Sequence, residues 1–131
     1  MPIHHRVERE LGLIITTAEG EVSDADVAAY GQAINGDPVT RFAGRELIDG
    51  RAVTRITVTS ECVKRLVEAN RLAGQRARNL RTAIVAADDA AFGLARMYEM
   101  LSEPDFPFVR AFRNLEDARV FLALPTGWKP N

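Results

Sequence analysis

The sequence predicts a single α/β domain in which a mixed, mainly parallel sheet is covered by helices, in the order ββαβαβαβα. Three observations predict it. Two strand-like runs at the start, "HHRVE" and "LIITTA", lie close enough to form a hairpin. Short apolar runs then alternate with stretches of helical periodicity. "TAIVAA" is apolar without interruption, the pattern of a strand buried on both faces. Strands separated by helices imply right-handed crossovers and parallel pairing. At 131 residues the chain fits one domain, and a domain of this size buries roughly two-thirds of the surface its unfolded chain exposes. The domain is expected to span residues 1–124, with 125–131 as a tail whose Trp128 either packs back or stays free.

Each element has a local cause. Gly12 can take the positive φ that a hairpin connection often requires. Ser23 suits the cap of a first helix, accepting a bond from the backbone of Asp26, and Val27, Tyr30 and Ile34 recur at helical spacing behind it. Gly36 and Pro38 stop that helix. "RELID" reads as a short third strand, followed by a long loop. A second helix starts at Thr59 or Ser60, lines Cys62, Val63, Leu66, Val67 and Asn70 along one stripe, and ends at Gly74. After "TAIVAA", the acidic pair Asp88 and Asp89 suits the electropositive start of a third helix with Leu94, Met97, Tyr98 and Leu101 inside. "FVRAF" is the last strand, and Asn114 with Asp117 caps a final helix that buries Leu115, Ala118, Phe121 and Leu122.

Composition excludes several function classes. A formal net charge of -1 gives no bulk attraction to nucleic acid or acidic lipid. No apolar run approaches the ~20 residues that cross a bilayer, and "MPIHHRVERE" lacks the apolar core of a secretion signal, so a cytoplasmic protein without a membrane span is expected. One cysteine and two histidines are too few for a typical structural zinc site, and His4 and His5 alternate across a strand. No metal and no cofactor are expected. Cys62 lies on an apolar stripe and reads as an inert buried thiol.

In open parallel sheets, ligands collect outside the carboxyl ends of the strands, where the strand order reverses. That rule selects the loops 49–60, 87–92 and 112–114. The candidate ligand-binding residues are therefore Asp49, Arg51, Arg55, Thr57, Ser60, Asp88, Asp89, Phe92 and Arg113. Each also has an ordinary role: Thr59, Ser60, Asp88 and Asn114 are good caps, and the arginines can pair with neighbouring carboxylates. No catalytic set is visible, because adjacent Asp88 and Asp89 point in different directions and no nucleophile accompanies them. Arg71, Arg76, Arg78 and Arg81 form a basic edge at the amino ends of the strands, without aromatic residues to stack bases, so no nucleic acid partner is expected. Phe92 and Met100 fall off the third helix's stripe; with Phe106 and Phe108 they point to a pocket, a lid, a subunit contact or internal packing.

The string "TAIVAADDAAFGLARMYEMLSE" followed by "VRAFRNLEDARVFL" resembles the C-terminal half of bacterial SpoIIAA-like proteins, in the STAS-like superfamily (sulfate transporter and anti-sigma factor antagonist), and "ELID…VTSECV" extends the resemblance to most of the chain. The resemblance implies a fold similar to CRAL-TRIO lipid carriers and to antagonists that regulate partner proteins. It implies a non-enzymatic domain that takes a small apolar or amphipathic, lipid-like ligand, or else a regulatory interaction module that forms a homodimer. The antagonists carry a phosphorylatable serine in a Ser-Gly setting at the head of the second helix. Here that place reads Thr59, Ser60, Glu61, without the glycine, and a phosphate on Ser60 would face the charge of Glu61, with Arg55 as a partial offset.

Overall fold

A computed structural model describes residues 2–74 and 79–130. The chain opens with β1 (Ile3–Glu8) and β2 (Leu13–Val22), antiparallel and joined by a tight turn in which Gly12 adopts the left-handed φ of 56°. Then follow α1 (Asp24–Gly36), β3 (Arg45–Ile56), α2 (Ser60–Ala73), β4 (Arg81–Val85), α3 (Asp89–Ser102), β5 (Val109–Phe112) and α4 (Leu115–Phe121). The expected order of elements is the observed one. The local chemistry holds as well: Ser23 and Asp26 form a reciprocal capping box on α1, Thr59 caps α2, Asp88 caps α3, and Asn114 caps α4.

The five strands lie in the order β1-β2-β3-β4-β5, with β2 to β5 parallel. Each right-handed crossover steps one place in the same direction, which puts α1, α2 and α3 on one face of the sheet. There is consequently no reversal of strand order, and the crevice expected at a reversal does not form. Alternation along the strands builds a core on each side. On one, Leu13, Ile15, Leu47, Ala83 and Val85 pack under α4 through Ala118 and Leu122, with Trp128 folded back against them. On the other, Ile14 meets Tyr30 and Ile34 of α1, while Ile84 meets Val63 of α2 and Ala95 and Tyr98 of α3.

The second departure concerns β3. It does not end at Asp49 but continues to Ile56, paired along its whole length with an equally extended β2. The β-branched residues Val53, Thr54 and Ile56 support extension here, and register shifts after Thr17 and Gly20 bend the two strands together. β4 stops opposite Asp49, at Val85. Residues 50–56 therefore overhang the rest of the sheet by roughly 20 Å at about 3.3 Å per residue. Gly50 sits at the step, where a Cβ would lie 2.9 Å from the Val85 carbonyl oxygen. No helix among the described residues is long and apolar enough to cross a membrane.

Candidate functional site

The carboxyl ends of β4 and β5 form a rim level with Asp49, with Val85 beside both Asp49 and Phe112, while β3 itself runs on past it to Ile56. The nine residues expected to form a site nevertheless fall into separate groups along it. Arg51 closes a two-pronged ion pair on Asp49, Nε to Oδ1 and Nη2 to Oδ2 both at 2.9 Å, which raises the guanidinium pKa. Arg113 donates to Asp89 Oδ1 at 2.7 Å and to the Ala87 carbonyl at 3.0 Å, with its guanidinium carbon 4.1 Å from the centre of the Phe92 ring. Asp88 is taken up by its cap on Ala91. Arg55, Thr57 and Ser60 lie in or after the overhang, away from the rim, and Thr57 donates to the Val22 carbonyl. The overhang is what separates them, since Arg51 and Arg55 are strand residues and not members of one long loop.

What the step in the sheet creates instead is a cavity of about 140 Å³ between the sheet and the helical layer. Its floor is Ile48, Gly50, Val53 and Ile56 of β3 and Ile84 to Ala86 at the end of β4; Val63 and Leu66 of α2 and Ala91, Leu94 and Ala95 of α3 roof it. Small side chains make the void: Ala18, Gly50, Ala86, Ala91 and Ala95 stand where larger ones would fill the gap left by the missing strand. None of the lining residues is charged.

A buried polar network borders the cavity. Glu46, next to Leu47 near the start of β3, is fully buried, and its Oε2 accepts bonds from the Tyr30 hydroxyl at 2.7 Å and the Thr16 hydroxyl at 3.2 Å. Asn70 of α2 donates to the Tyr98 hydroxyl at 2.7 Å and accepts from Asn35 of α1 at 2.9 Å. Three helices and two strands are tied together by side chains that would be costly to bury unpartnered. Tyr30, Asn70 and Tyr98 lie on the inner helical stripes as expected, and the sequence signal for Glu46 is an acidic residue within the strand run "RELID".

The fold has a clear structural match. Over 90% of this chain and 94% of the other, it is similar to the anti-sigma factor antagonist SpoIIAA in its unphosphorylated form, with a TM-score of 0.56 at 11% identity. The fold is SpoIIAA-like. A second similar structure, an uncharacterized DUF3478-family protein with a SpoIIAA-like fold from Shewanella loihica PV-4, gives a TM-score of 0.53 at 15% identity over 92% of this chain and 91% of the other. No protein-family model matches the chain, and no curated protein matches it.

In this SpoIIAA-like fold the head of α2 is held by Asp24, whose carboxylate accepts from Thr59 N at 2.7 Å and Thr59 Oγ1 at 2.8 Å. Those two bonds keep the Asp24 carboxyl below its usual range. The Cys62 thiol beneath it is pushed up by burial first and by the Asp24 charge second, as expected of an unreactive thiol. Among the described residues, no cluster of three or more His, Cys, Asp or Glu side chains is placed to hold a metal ion. Of the basic edge, Arg71 pairs with Glu68 and Arg81 stacks on Phe121 with Phe108 nearby, while Arg76 and Arg78 lie outside the described residues. His5 Nε2 meets Asp37 Oδ2 at 2.9 Å. Phe92 is half-buried beneath Arg113, whereas Met100 is 59% exposed.

Proposed function

We propose that this is a non-enzymatic SpoIIAA-like domain that binds a small apolar or amphipathic ligand between its sheet and its helices. The observation that carries the reading is the apolar cavity at the step between β3 and β4. Its volume is comparable with the ~150 Å³ of apolar cavities that stay dry and accept benzene, and well short of the ~300 Å³ at which drug-sized pockets begin. The ligand is therefore a compact one. Non-denaturing mass spectrometry and organic extraction of protein purified from its native host test this. A bound molecule of low mass, released on unfolding, is expected; protein that is empty and gains no thermal stability from small aromatic probes would contradict it.

A second reading is a partner-binding regulatory module acting as a homodimer. It is favoured by the fold shared with an anti-sigma factor antagonist and by exposed Met100 and Phe108 around the carboxyl end of α3. Light scattering behind a sizing column separates the two readings, because a strict monomer that retains no partner removes the second.

A further inference from the structure

We infer that the ligand of this cavity is a neutral hydrocarbon or aromatic molecule with no charged head group, a narrowing that rests on the ligand-binding reading above. The polar groups at the cavity's edge are turned away from it. Thr16 and Tyr30 direct their hydroxyls to Glu46 at 3.2 and 2.7 Å, and the Tyr98 hydroxyl accepts from Asn70 at 2.7 Å, so carbon faces the void. None of the candidate arginines, Arg51, Arg55 and Arg113, lines the cavity. Arg51 is locked to Asp49, and Arg113 is held by Asp89, the Ala87 carbonyl and the Phe92 ring. A carboxylate or ammonium drawn into such a space would lose its hydration without gaining a partner, whereas a hydrocarbon of matching size gains by leaving water.

Titration of the full chain at neutral pH with toluene, benzoate and benzylamine, three probes of similar shape and different charge, tests the inference. Toluene is expected to bind saturably, with benzoate and benzylamine each at least ~100-fold weaker. Ala95→Leu, which fills the cavity from α3, is expected to abolish toluene binding; Ala18→Val, on β2, serves if that variant does not unfold cooperatively. Benzoate or benzylamine binding as tightly as toluene would overturn the neutral-ligand inference and leave the cavity as a ligand site. Failure of all three probes would overturn both.

Discussion

The Tyr30 hydroxyl donates to Glu46 Oε2 at 2.7 Å, joining α1 to the start of β3 through an acidic side chain that is wholly removed from solvent. The bond holds the helical layer at its distance from the sheet, beside the cavity that Tyr30 lines. Removing a donor from a buried acceptor costs about 1–3 kcal/mol. Tyr30→Phe should lower unfolding stability by that amount in urea while leaving the fold intact. A loss under ~0.5 kcal/mol would show that the network contributes nothing to this spacing.

Leu122 and Ala123 set the stability of the opposite face. Leu122 is 0% exposed, and α4 covers the cluster formed by Leu13, Leu47 and Val85. Leu122→Ala should cost about 2–5 kcal/mol, and a chain ending at Arg113 should show no cooperative thermal transition. Ala123 closes α4 with a left-handed φ of 54°, a conformation that disfavours a Cβ. Ala123→Gly should raise stability by ~0.5–1 kcal/mol; both changes are measured by the same urea midpoint, and a neutral Leu122→Ala would contradict the two-sided core.

The contribution of Arg113 should come from Phe92 more than from Asp89. The Asp89 side chain is 94% exposed, so its ion pair is screened and worth little. The guanidinium over the Phe92 ring at 4.1 Å is the better interaction, with about 0.5–1 kcal/mol expected at an exposed site. A double-mutant cycle between Phe92→Leu and Arg113→Ala should return a coupling of that size, larger than the cycle between Asp89→Ala and Arg113→Ala. The reverse order would make the rim an electrostatic feature.

Acid should destabilise the protein through Asp24 and Asp37. Thr59 holds the first carboxyl below its ordinary value of 3.8, and His5 with Val39 does the same for the second. Each is a stronger acid folded than unfolded, so its contribution is complete above that ordinary value and is lost as pH falls through the lowered one. Urea midpoints measured from about pH 5 down to about pH 2 should fall in this window, and Asp24→Asn should flatten the slope. An unchanged slope in that variant would remove Asp24 from the acid response.

Much of the fold was legible because its signals are local. Gly12, the Ser23 and Asp26 pair, Thr59 and Asn114 each satisfy backbone groups within a few residues, and a pattern in the chain suffices to find them. The overhang of β3 was not legible as a strand, because among the described residues it pairs with β2 alone, some 30 residues earlier, and nothing local tells an exposed ribbon from a loop. The cavity was hidden for the same reason. It depends on where β4 ends relative to β3 and on Gly50 together with Ala18, Ala86, Ala91 and Ala95, which come from four separate parts of the chain. Glu46 was overlooked because one acidic residue in an apolar run reads as the outward half of an alternating strand, when both faces of this strand are covered.

The cavity at the sheet step is tested most directly by methyl-resolved NMR of the full chain titrated with toluene. Saturable shifts are expected for the methyls of Ile48, Val63, Ile84 and Leu94, which line the cavity, with none at Leu47 or Leu122 across the sheet. Shifts that never saturate, or that are equal on both faces, would contradict a ligand site at this step.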